Sequence, residues 1–208
     1  MINFIKKNKD VLIKVLLLYL FQALTYFLSK FTPIKDHVIG WEIDNEIPFI
    51  AFFGLFYVSW FVAIIVVPLL LNKYNKNELK KHYRNVIVAI IICGLFYIFY
   101  PTTANIRPDV SIKGISTLTC YLVYYFDGPM ANLFPSMHCL MCFYYLYYML
   151  FNKEIDKRWR IGISVWSILI ILSTMFAKQH VVADVIGAFV ISAVIYSVNS
   201  LVFRKGKE

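Results

Sequence analysis

Charge is scarce in this chain: 16% of its 208 residues are Asp, Glu, Lys or Arg, against about 25% in soluble globular proteins. With 60% hydrophobic and 18% aromatic residues, that scarcity argues against a water-soluble enzyme. Acidic residues are the scarcer sign, 12 against 21 Lys and Arg, for a formal charge of +9. Such a balance points either to nucleic acid or to a membrane, and the positions of the cations decide between them. Cysteine is limited to four. Cys139 and Cys142 form a C-x-x-C beside His138, but no second pair completes a zinc site, and on a helix this spacing reads as two small packing residues. No A-x-A follows the first apolar run, which is also too long for a secretory leader. No G-x-S-G occurs, which removes a six-span serine protease.

Long apolar runs are what the chain has in place of these features. Six recur between polar segments, at about Val11 to Ser29, Phe49 to Leu71, Val86 to Tyr100, Pro135 to Phe151, Ile161 to Ala177 and Val181 to Phe203. They predict an all-α membrane protein of six transmembrane helices in one domain, 1–208. Lys14 lies near the start of the first run, where its side chain can snorkel to the interface.

The cations give the orientation. Lys6, Lys7 and Lys9 precede span one; Lys73, Lys76, Lys80, Lys81 and Arg84 lie between spans two and three; Lys153, Lys157, Arg158 and Arg160 between four and five; Arg204, Lys205 and Lys207 close the chain. Fifteen of the 21 thus fall on one side, which by the positive-inside rule is the cytoplasmic one and holds both termini. The basic charge is topological, and no nucleic-acid partner follows from it.

The loops after spans one, three and five therefore face outward. The first, with Asp36, Glu42, Asp44 and Glu46, reads as a solvated acidic connector anchored at the interface by Trp41. The second, Pro101 to Phe134, contains the apolar stretch 118–126. That stretch is too short to span and reads as an interfacial or re-entrant segment lining a site open to lipid.

Three polar clusters sit at outward ends of spans: 101–108, 132–138 and 178–184. His180 and Asp184, four apart, share one helix face, where the carboxylate can hold one imidazole nitrogen and leave the other as nucleophile or base, or can simply pin the helix. Intramembrane Asp costs about 2.5–3.5 kcal/mol near the centre of a span and needs a partner, which His180 supplies. His138 follows Pro135, a residue suited to a first helical turn. The amides of Ser136, Met137 and His138 then form a helix start able to bind phosphate oxygens, and the Ser136 hydroxyl adds a donor. Arg107 offers a forked cation matched to phosphoryl oxygens or to a lipid head group. Lys178 is either a further cation of the site or an interfacial anchor.

Arg107-Pro108 after span three, Pro135-Ser136-Met137-His138 at the start of span four and His180-Val181-Val182-Ala183-Asp184 at the start of span six resemble the three motifs of the type 2 phosphatidic acid phosphatase superfamily. The resemblance implies a six-helix core and a covalent mechanism without cofactor or metal. In that mechanism His180 attacks phosphorus, Asp184 orients it and His138 protonates the leaving oxygen, while Arg107, Ser136 and Lys178 hold the phosphoryl group. It implies a lipid phosphatase of the cell membrane, cleaving a phosphate ester or pyrophosphate of a lipid on the extracytoplasmic face through a phosphohistidine. Its partner is the lipid phosphate substrate in the bilayer.

The chain departs from the family pattern at Tyr100, Met137 and Thr174, where the motifs carry Lys, Gly and Arg. Two missing cations favour a substrate of lower charge, and so a phosphotransferase resembling sphingomyelin or inositol phosphorylceramide synthases as the alternative. A membrane metalloenzyme using His138, His180 and Asp184 as ligands is a second alternative. A channel or scaffold leaves the three clusters unexplained.

Overall fold

Hydrophobic runs bounded by capping residues become helices, and a computed structural model describes residues 2–205 of the chain. Lys207, one of the cations counted above, lies outside them. Among the described residues the helices are α1 (Ile2–Ser29), α2 (Glu42–Glu46), α3 (Phe53–Tyr74), α4 (Lys76–Phe99), α5 (Ile115–Asp127), α6 (Met137–Phe151), α7 (Lys157–Phe176) and α8 (Val182–Lys205). Two short strands, β1 (His37–Val38) and β2 (Thr102–Thr103), pair in parallel.

The protein is an all-α membrane protein. Helices α1, α3, α4, α7 and α8 are long and apolar enough to cross a bilayer. The remaining expected span, α6, has only 15 residues, about 22 Å at helical rise, against a hydrocarbon core of about 30 Å. It is nonetheless the centre of the molecule, packing on α4, α7 and α8 with Tyr144, Tyr145 and Tyr148 wholly buried. Neighbouring helices rather than lipid surround it, so its length is not set by the membrane. Peripheral α1 packs on α3 and α4 and leaves Leu16, Leu17, Leu20, Leu24 and Leu28 exposed, the face of a helix whose solvent is hydrocarbon.

Four expectations change. The third span is longer than its apolar run: α4 begins at Lys76, because Asn75 ends α3 and caps α4, its Oδ1 accepting from the Asn77 and Glu78 amides at 3.1 Å each. The sixth opens one residue later, at Val182, and the fourth two residues later, at Met137. The first outward loop is not a simple solvated connector. Its Asp44 is 3% exposed, Oδ2 accepting from the Trp41 amide and Oδ1 from the Val182 amide, both at 2.7 Å. One carboxylate thus holds α2 and the first turn of α8 together. Glu42 and Glu46 remain exposed. The stretch 118–126 belongs to α5, 13 residues long and docked on α3, with Cys120 buried against Gly54.

Candidate active site

The α7–α8 turn sets the first histidine. The Thr174 carbonyl accepts from the Gln179 and His180 amides at 2.8 and 2.9 Å, and Lys178 takes a left-handed φ of 51° that reverses the chain. His180 then stands one helical turn before Asp184, with Nδ1 3.1 Å from Asp184 Oδ2. The same oxygen accepts from the Val181 amide at 3.0 Å. Asp184 is fully buried in the first turn of α8, where the helix dipole favours a negative charge. Its hydrogen bond fixes the His180 ring and leaves Nε2 as the nitrogen that the carboxylate does not hold.

The second histidine comes from the start of α6. Ser136 is the cap, its hydroxyl oxygen accepting from the Cys139 amide at 3.3 Å and its own amide donating to the Asp184 carbonyl at 3.4 Å. The start predicted at Pro135 therefore moves to Met137, and the Ser136 amide is already engaged with α8. Met137 and His138 supply the remaining first-turn amides, in the arrangement that suits an anion. The His138 ring is stacked on Tyr57 and tilted on Trp60, each with centroids at 4.4 Å, and its centroid lies 6.0 Å from that of His180. Its Nε2 is buried and has no hydrogen-bond partner among the described residues.

The three polar clusters of the sequence do converge. Thr102 Oγ1 accepts from the Leu133 and Phe134 amides at 3.1 and 2.9 Å, joining the first cluster to the second. Arg107 Nη2 donates to Gln179 Oε1 at 2.7 Å, joining the first to the third. Arg107 Nη2 also pairs with Asp127, Nη1 donates to the Gly128 carbonyl at 2.7 Å, and the guanidinium lies 4.8 Å over the Tyr124 ring. Gly187 of α8 faces the Phe134 ring so closely that any Cβ there would strike it, which seats the loop before Ser136 on α8.

A cavity of about 790 Å³ opens onto both histidines. His138 and His180 line it together with Tyr26 of α1, Tyr57 and Trp60 of α3, and Leu122 of α5. Its walls are mainly apolar, as an alkyl chain requires.

Not every expected residue faces this space. Lys178 Nζ donates to the Asp44 carbonyl at 2.6 Å and is not among the cavity-lining residues; burial pulls its pKa down, with Asp44 opposing. Tyr100 stacks on His37 at 4.3 Å. Thr174 is completely buried, its hydroxyl on the Ile171 carbonyl at 2.8 Å. No group of three His, Cys, Asp or Glu side chains among the described residues is placed to hold a metal, and Asp184 faces the far nitrogen of His180 instead of a point shared with His138. Cys139 and Cys142 are buried in the core. Sequence reading gave no role to Gln179, although it lies in the third cluster, and missed Asp127, which lies outside every cluster, and Tyr57 and Trp60, which inside an apolar span look like any other packing aromatics.

Fold and site together define a multi-pass helical membrane protein with a His–Asp pair and a second His at the base of an apolar cavity. A family model described as the PAP2 superfamily matches residues 82–207, and the chain belongs to that superfamily. Its members are phosphatases and phosphotransferases, and membership supports a lipid-related function of that general type. No curated protein and no solved structure matches the chain.

Proposed function

We propose that the protein is a lipid phosphatase that cleaves a phosphate ester or pyrophosphate of a membrane lipid through a phosphohistidine. The observation that carries this reading is the pairing of His180 Nδ1 with Asp184 at 3.1 Å while both His180 and His138 line one apolar cavity. His180 Nε2 attacks phosphorus as the bond to the leaving oxygen breaks, and His138 gives that oxygen its proton. Water, deprotonated by His138, then attacks the phosphohistidine and releases the His180 ring together with phosphate, or with a phosphate monoester where the substrate was a diester. The Met137 and His138 amides stabilise charge on the phosphoryl oxygens, and Arg107, set behind the cavity wall and shared with Asp127 and Gln179, adds positive potential. The positive-inside rule, applied to the fifteen cations that the sequence assigns to one side, supports an extracytoplasmic site with both termini in the cytoplasm.

Transfer of the phosphoryl head group to an alcohol is the second reading. It is favoured by the fate of the cations: Lys178 is bound to Asp44, and Tyr100 and Thr174 point into other contacts. A site with few cations suits a phosphodiester better than a dianionic monoester.

The test is purified protein incubated with matched lipid monophosphates, pyrophosphates and diesters, with released phosphate and new lipids both measured. His180→Ala is expected to abolish turnover and any phosphoenzyme. His138→Ala is expected to retain phosphoenzyme formation when the leaving group is acidic enough to depart unprotonated. Equal loss in both variants, whatever the leaving group, contradicts the division of roles.

A further inference from the structure

Asp127 lies outside all three motifs, yet its side chain is a wall of the cavity that contains His138 and His180. It is held from two sides. Oδ1 accepts from the Tyr26 hydroxyl of α1 at 2.8 Å, and Oδ2 pairs with Arg107 Nη2. Its backbone carbonyl accepts from Lys30 Nζ at 3.4 Å, and that ammonium also sits 4.9 Å from the Tyr26 ring.

The charges around the reacting position follow from these contacts. Arg107 Nη2 is shared between Asp127 and Gln179, and Nη1 is bound to the Gly128 carbonyl. The Arg107 Nε is buried and without a partner among the described residues, and Arg107 itself does not line the cavity. A phosphoryl group brought to His180 therefore meets the Asp127 carboxylate in the cavity wall, with the guanidinium behind it and already neutralised. Lys178, the other cation close in sequence to His180, is turned to Asp44. A first negative charge on the substrate can share Arg107. Lys30 also lines the cavity, so Arg107 and Lys30 bring two positive charges against the one negative charge of Asp127 and together balance a single negative charge on the substrate; a second is left unbalanced and is repelled by Asp127, a repulsion that the apolar walls screen poorly.

We infer that Asp127 is a specificity-determining residue that selects lipid phosphates esterified on both sides, with one negative charge, over dianionic phosphomonoesters. The inference rests on the phosphohistidine reading above and deepens it by naming the charge of the substrate. It also gives α1 a part in recognition, since Tyr26 holds the carboxylate in place.

The experiment compares the unmodified protein with Asp127→Asn and Asp127→Glu, using a lipid phosphomonoester and its methyl ester in the same detergent micelles. The unmodified protein is expected to have the higher kcat/KM for the methyl ester. Asp127→Asn is expected to raise the monoester-to-diester ratio about tenfold, the worth of one charge contact of ordinary strength, while Asp127→Glu leaves it within threefold. A rise below threefold in a folded Asp127→Asn protein overturns the inference, as does a preference of the unmodified protein for the monoester. If Asp127→Asn does not fold, competition between a lipid phosphonate and its monomethyl ester for the unmodified protein decides. Tighter binding of the monomethyl ester supports the inference, and equal or reversed affinity overturns it. Turnover of the lipids with an unchanged ratio defeats only the role of Asp127. No turnover and no phosphonate binding defeats the proposed function and the inference with it.

Discussion

At the scale of single residues, Thr174 shows how a motif position can lose its usual meaning. The family carries Arg there, yet this threonine of α7 is buried against α6, with its hydroxyl on the Ile171 carbonyl and 3.4 Å from Cys139 Sγ. Its carbonyl holds the two amides that deliver His180. Restoring Arg is therefore expected to bury an unpaired cation and to destabilise by about 3–5 kcal/mol, read as a large fall in the thermal unfolding midpoint in detergent. Thr174→Ser, which keeps the hydroxyl, is expected to change it little. A stable, active Thr174→Arg protein would mean that the cavity reaches this position. His138, His180 and Asp184 were legible in the sequence because their order and spacing already encode a mutual geometry. The direction of Lys178 was not, since one left-handed φ aims its ammonium at Asp44 rather than at the histidines, and nothing in the sequence signals that angle.

At the scale of elements, the helix that carries Asp184 depends on a helix of five residues. Asp44 of α2 accepts from the Val182 amide, and without that acceptor the first turn of α8 has one more unsatisfied, half-buried donor. Asp44→Ala is expected to cost about 1–3 kcal/mol and, because the His180–Asp184 geometry loosens, to lower kcat more than it raises KM. Thermal unfolding and steady-state kinetics on the same preparation check this; a variant that loses stability with kcat intact would separate α2 from the chemistry. Hydropathy made the spans visible because burial in lipid and burial in protein both select apolar residues. It could not find where helices begin. Asn75 extends α4 ten residues into polar sequence, and the Ser136 cap shortens α6, both through side-chain hydrogen bonds that hydropathy does not register.

At the scale of the whole molecule, orientation and site follow from separate sets of residues, so each can fail alone. With the native cysteines replaced, Gly114→Cys is expected to react with an impermeant thiol reagent added outside intact cells, and Asn77→Cys only after permeabilisation. The opposite pattern would put the histidines in the cytoplasm. The family match begins at residue 82, whereas Tyr26, Tyr57 and Trp60, which complete the cavity, precede it. The chemistry is thus carried by one part of the chain and much of the lipid-facing wall by another. The paired strands and Asp44 add a further consequence. The strands tie the segment between α1 and α3, outermost in the proposed orientation, to the loop after α4, and Asp44 ties it to the turn that carries His180, the proposed nucleophile. An antibody fragment gripping residues 36–46, or a protease nicking them, is expected to reach the proposed nucleophile mechanically and, in the proposed orientation, to silence it from outside the cell without ever crossing the lipid.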